Sequence, residues 1–431
     1  MMNNLQLKYL EHYDVVVIGG GSAGICAAVQ AARSGSSTLL IEKGASLGGT
    51  TTNGAVNFPG LFNAWGKQII AGIGWELTTK SVELSGGQLP DFSVIAKQHW
   101  TQQIKINIPI YTALCDEILI NSGAHILFHT MIAGIKSNKS FDQKTITICT
   151  KNGLQDIKSK VVIDCTGDAN AAALAGFELL SSTEKQPATY SCHMNGYDYS
   201  QLDIPTINKN FTEWVNKGNG KYLDASWNIN QPNIGGWLGS GGMNANHIPH
   251  IDAFSSFGKS IAELEGRASI LRIFRFLKTQ LGLDNLRIDF LATECGIRET
   301  RRIVGKKIIE VSDYNSGKVW DDSLCYSYYP IDLHTLDDSG VTPLPLKKDT
   351  VPTVPLGAML PKNSSNFLVA GRCVSSDQLA NSALRVQASS MAMGQAAGAT
   401  AALAVREDCE LESLKISVIK AELTKHAAIV P

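Results

Sequence analysis

YDVVVIGGGSAGICAAVQAARSGSSTLLIE spans residues 13–42. It opens on Val15-Val16-Val17-Ile18, a β-branched apolar run of the kind that forms a strand buried on both faces. Gly19-x-Gly21-x-x-Gly24 follows at once. Ala27, Ala28, Ala31 and Ala32 then recur on the packing side of a small-residue helix that Gly35 ends. A second apolar strand, Thr38 to Ile41, stops at Glu42.

Each part has a physical task. Gly19 makes the tight turn out of the strand, Gly21 lets the backbone approach a pyrophosphate, and Gly24 lets the helix sit close to the sheet. The first-turn N–H groups around Ser22 and Ala23, with the positive end of the helix dipole, stabilise phosphate. The Glu42 carboxylate accepts from ribose hydroxyls and disfavours a 2′-phosphate. Strand, glycines, helix, strand and acid in this order predict an adenine dinucleotide site, for NAD or FAD. The expected fold is α/β, a Rossmann-like domain with a central parallel sheet.

Composition narrows the rest. The chain has 431 residues, 44% of them hydrophobic, enough for two joined domains with substantial cores. A formal net charge of −1 and the lack of a long basic run argue against nucleic acid or an anionic membrane as partner. The 9 cysteines are scattered with no CxxC pair, so neither a disulfide framework nor a metal site is expected. They read as reduced core thiols, which suits the cytoplasm. The first twelve residues are polar and lack a signal-peptide core. No apolar run is long enough for a membrane span.

Farther along, Gly48-Gly49-Thr50-Thr51-Thr52-Asn53 is a loop rich in donors, after Glu42-Lys43. Helices are expected over 66–80, 95–103 and 114–122. Strand-like pieces cover 125–130 and 131–135, and 145–150 and 157–161 flank an Asn152-Gly153 turn, predicting a small antiparallel meander. Val161 to Asp164 then runs into Thr166-Gly167-Asp168 and a helix over 171–176, a second βα turn able to meet a pyrophosphate. Between about 180 and 355 aromatic and amide residues become common. The best amphipathic helix there covers 261–281, with Ile261, Leu264, Ala268, Leu271, Phe274 and Leu277 on one face. Phe367 to Ala370 is a strand ending in Gly371-Arg372, followed by a long small-residue helix over 382–404. A helix start near Val386-Gln387-Ala388 would aim its dipole past the Gly371 strand.

These segments together resemble the FAD-dependent oxidoreductases of the glutathione-reductase-like, two-dinucleotide-binding-domain superfamily. The motifs are Gly48-Gly49-Thr50-Thr51-Thr52-Asn53-Gly54, Thr166-Gly167-Asp168, Gly296-Ile297-Arg298-Glu299-Thr300-Arg301-Arg302-Ile303-Val304-Gly305, Tyr329-Pro330-Ile331-Asp332-Leu333-His334, and Asn366 to Arg372 with Arg385 and Met391 to Gly398. The resemblance covers nearly the whole chain except roughly 185–285. It implies tightly bound FAD and redox chemistry. It implies contacts to FAD from Gly19, Gly21, Ser22, Ala23, Gly24, Glu42 and Lys43, from Gly48, Gly49, Thr50 and Thr51, and from Ile132. Thr166, Gly167 and Asp168, then Gly371 and Arg372, then Val386, Gln387 and Ala388 complete that set. Where many flavoproteins carry Gly-Asp after the last strand, this chain has Gly371-Arg372. That departure weighs against an aromatic hydroxylase.

The expected layout is an N-terminal extension (1–12), an FAD-binding domain in two parts (13–184 and 355–431), and an inserted mixed α+β substrate or cap domain (185–354). His334, beside Asp332, is the candidate general base; the alternative is a structural histidine. Arg298, Arg301 and Arg385 are candidates to hold an acidic small molecule. If helical, Arg298 shares a face with Arg301 and Arg302; the alternative is an interdomain salt bridge, Glu294 and Glu299 being the nearest acids in sequence. Asn381 and Gln387 are further candidates for the flavin edge or the substrate. His247-x-x-His250 reads as a loop rather than a metal site. The first functional reading is hydride transfer between a small organic substrate and flavin N5. An O2-using monooxygenase or oxidase, and an electron-transferring subunit that works with a redox partner, stay open, as does a homo-oligomer.

Overall fold

The apolar run of the nucleotide motif forms β1 (His12–Ile18), with Val15, Val16 and Val17 fully buried. This computed structural model describes residues 9–95, 98–136, 143–228, 230, 232–244, 246–336 and 341–431. Gly19, at φ +100°, turns the chain into α1 (Ser22–Arg33), and β2 (Thr38–Ile41) returns parallel to β1. β3 (His125–Leu127) extends the sheet beyond β2. β4 (Met131–Lys136), β5 (Lys144–Thr150) and β6 (Gly153–Asp164) follow as the expected antiparallel meander.

β6 joins two kinds of pairing. Its first half pairs antiparallel with β5, and its second half runs parallel to β1, from His12↔Lys158 to Ile18↔Asp164. Near the other end of the chain, α2 (Ser256–Leu277) precedes β7 (Phe367–Val369), which lies parallel on the other side of β6. The sheet therefore runs β3-β2-β1-β6, with β7 and the β5-β4 arm both attached to β6. The protein is α/β with a mostly parallel, Rossmann-like central sheet.

α3 (Gln387–Glu407) packs across α1. Gly394 and Gly398 do not interrupt it; they are where the two backbones touch. A Cβ on Gly394 would lie 2.0 Å from the Ala23 carbonyl oxygen, and one on Gly398 2.3 Å from that of Ala27. Buried side chains at 309–360, such as Tyr314, Leu324 and Met359, share the core of α1 and α3. Residues between 188 and 295 build a separate core around Tyr190, Phe211, Trp237 and Phe276.

Several expected elements shift. The helix expected over 66–80 begins at Ile73, because Trp65 and Gly66 both take positive φ in a hairpin between Asn63–Ala64 and Lys67–Gln68. Of the helix expected over 95–103, residues 96 and 97 lie outside the described residues, and a 3-10 turn covers His99–Gln102. The helix near 114–122 starts earlier, at Ile108, where Asn107 caps it. The one after Gly167 is a short turn, Asn170–Leu174. The helix expected over 382–404 divides into Gln378–Leu384 and α3, since Val386 is extended.

α2 gives the clearest reversal. Of the expected core face, Ile261, Leu264 and Leu271 are exposed while Leu277 is buried as expected, and the rest of the buried face carries Gly258, Ala262, Gly266, Ile270 and Ile273. Small residues win because the core partner comes close: a Cβ on Gly266 would sit 2.3 Å from the Tyr190 ring. Side-chain size alone misplaced the first three turns of this face; Phe274 and Leu277 do pack on the core.

Gly394→Val should lower the unfolding free energy by about 1–3 kcal/mol or more, the scale of an overpacked core. Urea unfolding followed by circular dichroism checks this; an unchanged midpoint would contradict the backbone contact.

Candidate functional site

The three βα junctions open onto one cavity of about 1400 Å³, lined among others by Gly21, Gly167 and Gly371. Small-molecule pockets measure roughly 300–1,000 Å³, so there is room for a dinucleotide and a second molecule. Ser22 and Ala23 line the cavity at the start of α1, whose N-terminus has no side-chain cap. Its first N–H groups therefore remain for a ligand. Glu42 also lines the cavity, and its two carboxylate oxygens accept from the Gly20 and Gly44 N–H groups at 2.7 Å. A carboxylate has further lone pairs to offer a hydroxyl.

Lys43, Gly49, Thr50 and Ile132 line the same cavity. Lys43 bonds both oxygens of Glu294. Thr166, Gly167 and Asp168 form the second wall, in a turn that buried Asp164 shapes by accepting from Thr166 and from the Ala172 N–H. Arg372 crosses to this turn: it donates to the Gly167 and Ile297 carbonyls and pairs with Asp168 at 2.6 Å. Val386 and Gln387 line the cavity at the α3 end.

Four expected contact residues stand behind the wall instead. Gly24 is required for packing, since a Cβ there would lie 1.8 Å from the Gly19 oxygen. Gly48, at φ +102°, makes a turn and donates its N–H to Gly20. Thr51 donates to Gln387 at 2.7 Å. Ala388 donates its N–H to Pro59. Asn381 is buried too, bonded to the Arg372 carbonyl and Ser376.

The arginine cluster separates. Residues 301–303 are a strand paired with Leu179–Ser181, not a helix, so the three side chains diverge. Arg302 pairs with Glu299 in the interior at 2.9 Å, three residues away in the same segment. Arg301 lines the nucleotide side, bonding the Asp168 carbonyl and Asn170 and lying over the Phe254 ring. Arg298 lines the other end, where it donates to the Pro187 carbonyl at 2.7 Å.

Arg385, Asp332, His334 and Tyr329 complete that end. Asp332 accepts from Arg385 at 3.5 Å and stands 3.3 Å from His334 Nε2. His334 Nδ1 lies 2.8 Å from Nε2 of His247, and the Gln186 amide oxygen accepts from Arg385 and from the His334 N–H. Burial, then the charge of Arg298, lowers the His334 pKa to about 4. Burial, with Arg298 and His334, also lowers that of His247. Burial would raise the Asp332 carboxyl, but His334, Arg385 and Arg298 hold it below the usual range. Burial and the neighbouring Arg385 lower Arg298 to about 9, leaving it charged at neutral pH.

Both imidazoles are therefore neutral at pH 7. Ionised Asp332 can only accept, so His334 carries its proton on Nε2 and accepts at Nδ1 from His247. Both ring nitrogens of the expected base are engaged, which suits a positioning residue better than a free base. His247, Gln186 and Tyr329 were not in the predicted set. No motif marks Gln186, and His247 drew notice in the sequence only as half of an unlikely metal pair. Among the described residues no His, Cys, Asp and Glu cluster could hold a metal, and no helix is long and apolar enough to cross a membrane.

A family model described as FAD dependent oxidoreductase matches residues 14–423. The chain belongs to the FAD-dependent oxidoreductase family. Short stretches also match curated reductases. One is 57% identical over 44 residues to glutathione reductase of Yarrowia lipolytica, 10% of this chain and 9% of that one. Another is 51% identical over 41 residues to vinyl phenol reductase of Lactiplantibacillus plantarum, 10% of this chain and 8% of that one. The chain thus spans less than a tenth of the length of these two relatives. Among solved structures, a geranylgeranyl bacteriochlorophyll reductase-like protein of Thermoplasma acidophilum is 13% identical with a TM-score of 0.46, over 97% of this chain and 84% of that one. For p-nitrophenol 4-monooxygenase of Pseudomonas putida the identity is 11% and the TM-score 0.44, over 97% and 85%.

The residues of this oxidoreductase fit FAD. The uncapped α1 terminus faces the cavity, Glu42 is held by two backbone donors, and close-packed Gly21 and Gly49 keep side chains out of the phosphate end.

Glu42→Ala should weaken FAD retention about 10- to 100-fold, the scale of a lost hydrogen bond to a charged group. Flavin absorbance after gel filtration measures it. The histidines give a pH signature. Their folded pKa values lie below the unfolded value of about 6.5, so the unfolded chain binds more protons as pH falls. Stability should decline from about pH 6.5 towards pH 4, and His334→Gln should flatten that decline.

Proposed function

We propose that this enzyme transfers a hydride between a carbon of a small carboxylate and FAD. One observation carries the reading: Arg298, buried, and Arg385, largely buried, stand on the cavity wall with too little negative charge around them. Among the described residues Arg298 has no carboxylate within ion-pair distance, and Arg385 has Asp332 alone. The Arg385 Nε has no hydrogen-bond partner among the described residues. A buried cation left short of partners is costly, and a guanidinium matches a carboxylate in bidentate fashion.

FAD, when bound, supplies the two-electron chemistry. The chain's own residues bind and orient. Arg298 and Arg385 hold the carboxylate, Asp332 and Gln186 fix Arg385, and His334 fixes Asp332. Residues of the 188–295 unit, among them Thr189, Trp227 and Cys295, cover this end of the cavity and set substrate shape. Arg301, committed to Asp168 and Asn170, serves the nucleotide side.

The test is anaerobic bleaching of the flavin band against hydroxy acids, enoates, amines and sugars, with the reduced enzyme used for the enoates. Only carboxylates should react. Arg298→Met should raise the half-saturating concentration about 30-fold or more, as expected when a buried charge loses its partner. Reaction with neutral compounds alone would refute the carboxylate. Rapid O2 consumption with a hydroxylated product would favour a monooxygenase, and turnover only with an added protein would favour an electron-transferring subunit.

A further inference from the structure

A second polar group lines the same cavity, built on Tyr329 of the motif that also holds Asp332 and His334, with two partners that no motif marks. Tyr329, His99 and Gln103 all line the cavity. The Tyr329 ring is buried, and Tyr314 clamps its backbone, donating to the Tyr329 carbonyl at 3.0 Å and accepting its N–H at 3.1 Å. The Tyr329 hydroxyl oxygen accepts from Gln103 Nε2 at 3.0 Å and lies 3.1 Å from His99 Nε2. The His99 ring is edge-on to Tyr329 at 4.9 Å and half-buried, which connects the site towards the surface.

We propose that Tyr329 is the proton donor to the substrate, held in donor orientation by His99 and Gln103. A phenol oxygen has one proton and two lone pairs. Gln103 fills one lone pair. With His99 as its Nε2–H tautomer the second is filled as well, and the phenol proton is left to point into the cavity. An anionic ligand there attracts that proton more strongly than a neutral imidazole does, because charge-assisted hydrogen bonds are roughly twice as strong. Burial, and secondarily the charge of Asp332, raise the Tyr329 pKa, so the phenol is protonated at working pH.

The inference rests on the oxidoreductase reading above and adds a direction, reduction of the substrate. The electron pair comes from the family's FAD chemistry. The Tyr329 O–H bond breaks, and its proton bonds to the substrate atom that has gained negative charge. The phenolate takes the Nε2 proton of His99 while Nδ1 of His99 takes one from solvent, so the imidazole ends neutral.

Two readouts separate this claim from the hydride reading. Nitrogen-15 NMR of histidine-labelled, FAD-loaded protein, with the His99 signal identified by its loss in His99→Gln, should show His99 protonated on Nε2 with 10 mM succinate present. Protonation on Nδ1 alone would mean that Tyr329 donates to His99, and would overturn the proposal without touching the carboxylate reading. In stopped-flow reoxidation of the reduced enzyme by the active enoate, Tyr329→Phe should slow the reaction about 10²-fold or more with flavin content unchanged. His99→Gln, which keeps a donor, should retain more of the rate than His99→Leu. A Tyr329→Phe enzyme at full rate would overturn the proposal. If no enoate reoxidises the wild type, the reduction direction falls and the tautomer still decides whether Tyr329 points into the cavity.

Discussion

The rest of the molecule depends on how closely α1 can be approached from two sides. At its start Gly24 lets the helix lie against the Gly19 turn, and along its length Gly394 and Gly398 let α3 lie against its carbonyls. Each contact is backbone on backbone, so a single methyl group would push the elements apart. Because α1 is held there, its uncapped N-terminus opens into the same cavity as the turns after β6 and β7. A dinucleotide site is thus a consequence of packing density as much as of the phosphate-facing loop itself.

The two ends of the cavity solve opposite electrostatic problems. At the nucleotide end, charges are matched inside the protein: Arg372 with Asp168, Lys43 with Glu294, Arg301 with neutral oxygens. That end holds shape and leaves backbone donors for the ligand. At the other end, Arg385 pairs with Asp332 while Arg298 has no carboxylate within ion-pair distance among the described residues, and the histidines nearby are neutral because burial and arginine charge disfavour a further positive charge. The imbalance is tolerable only where solvent or an anion completes it. The histidine chain keeps Asp332 ionised and fixed, which in turn holds Arg385.

The end of the cavity around Arg385 and His334 was only partly readable from the chain. Arg298, Arg385 and His334 stand in motif-like segments and do line the cavity; the two arginines keep the role first read for them in the proposed function, while His334, with both ring nitrogens engaged, is recast as a positioning residue. Arg301 and Arg302 looked equivalent to Arg298 until strand pairing gave them a period of two rather than 3.6 and sent them to different partners. His99, Gln103, Gln186 and His247 come from segments with no shared motif and meet only through chain crossings. α2 misled for a related reason: the size of Ile261 and Leu264 suggested a core face, while the core required Gly266 and Ala262.

The residues alone determined the strand, glycine turn and helix after Tyr13, the acid at the end of β2, and the second and third βα junctions. Those are local events, governed by backbone conformation and by neighbours a few positions away. Tertiary structure decided which polar groups share a partner. Whether His334 has a spare nitrogen, or Arg298 a counter-ion, depends on side chains brought from distant segments, and the burial that sets their charge exists only once both cores have closed.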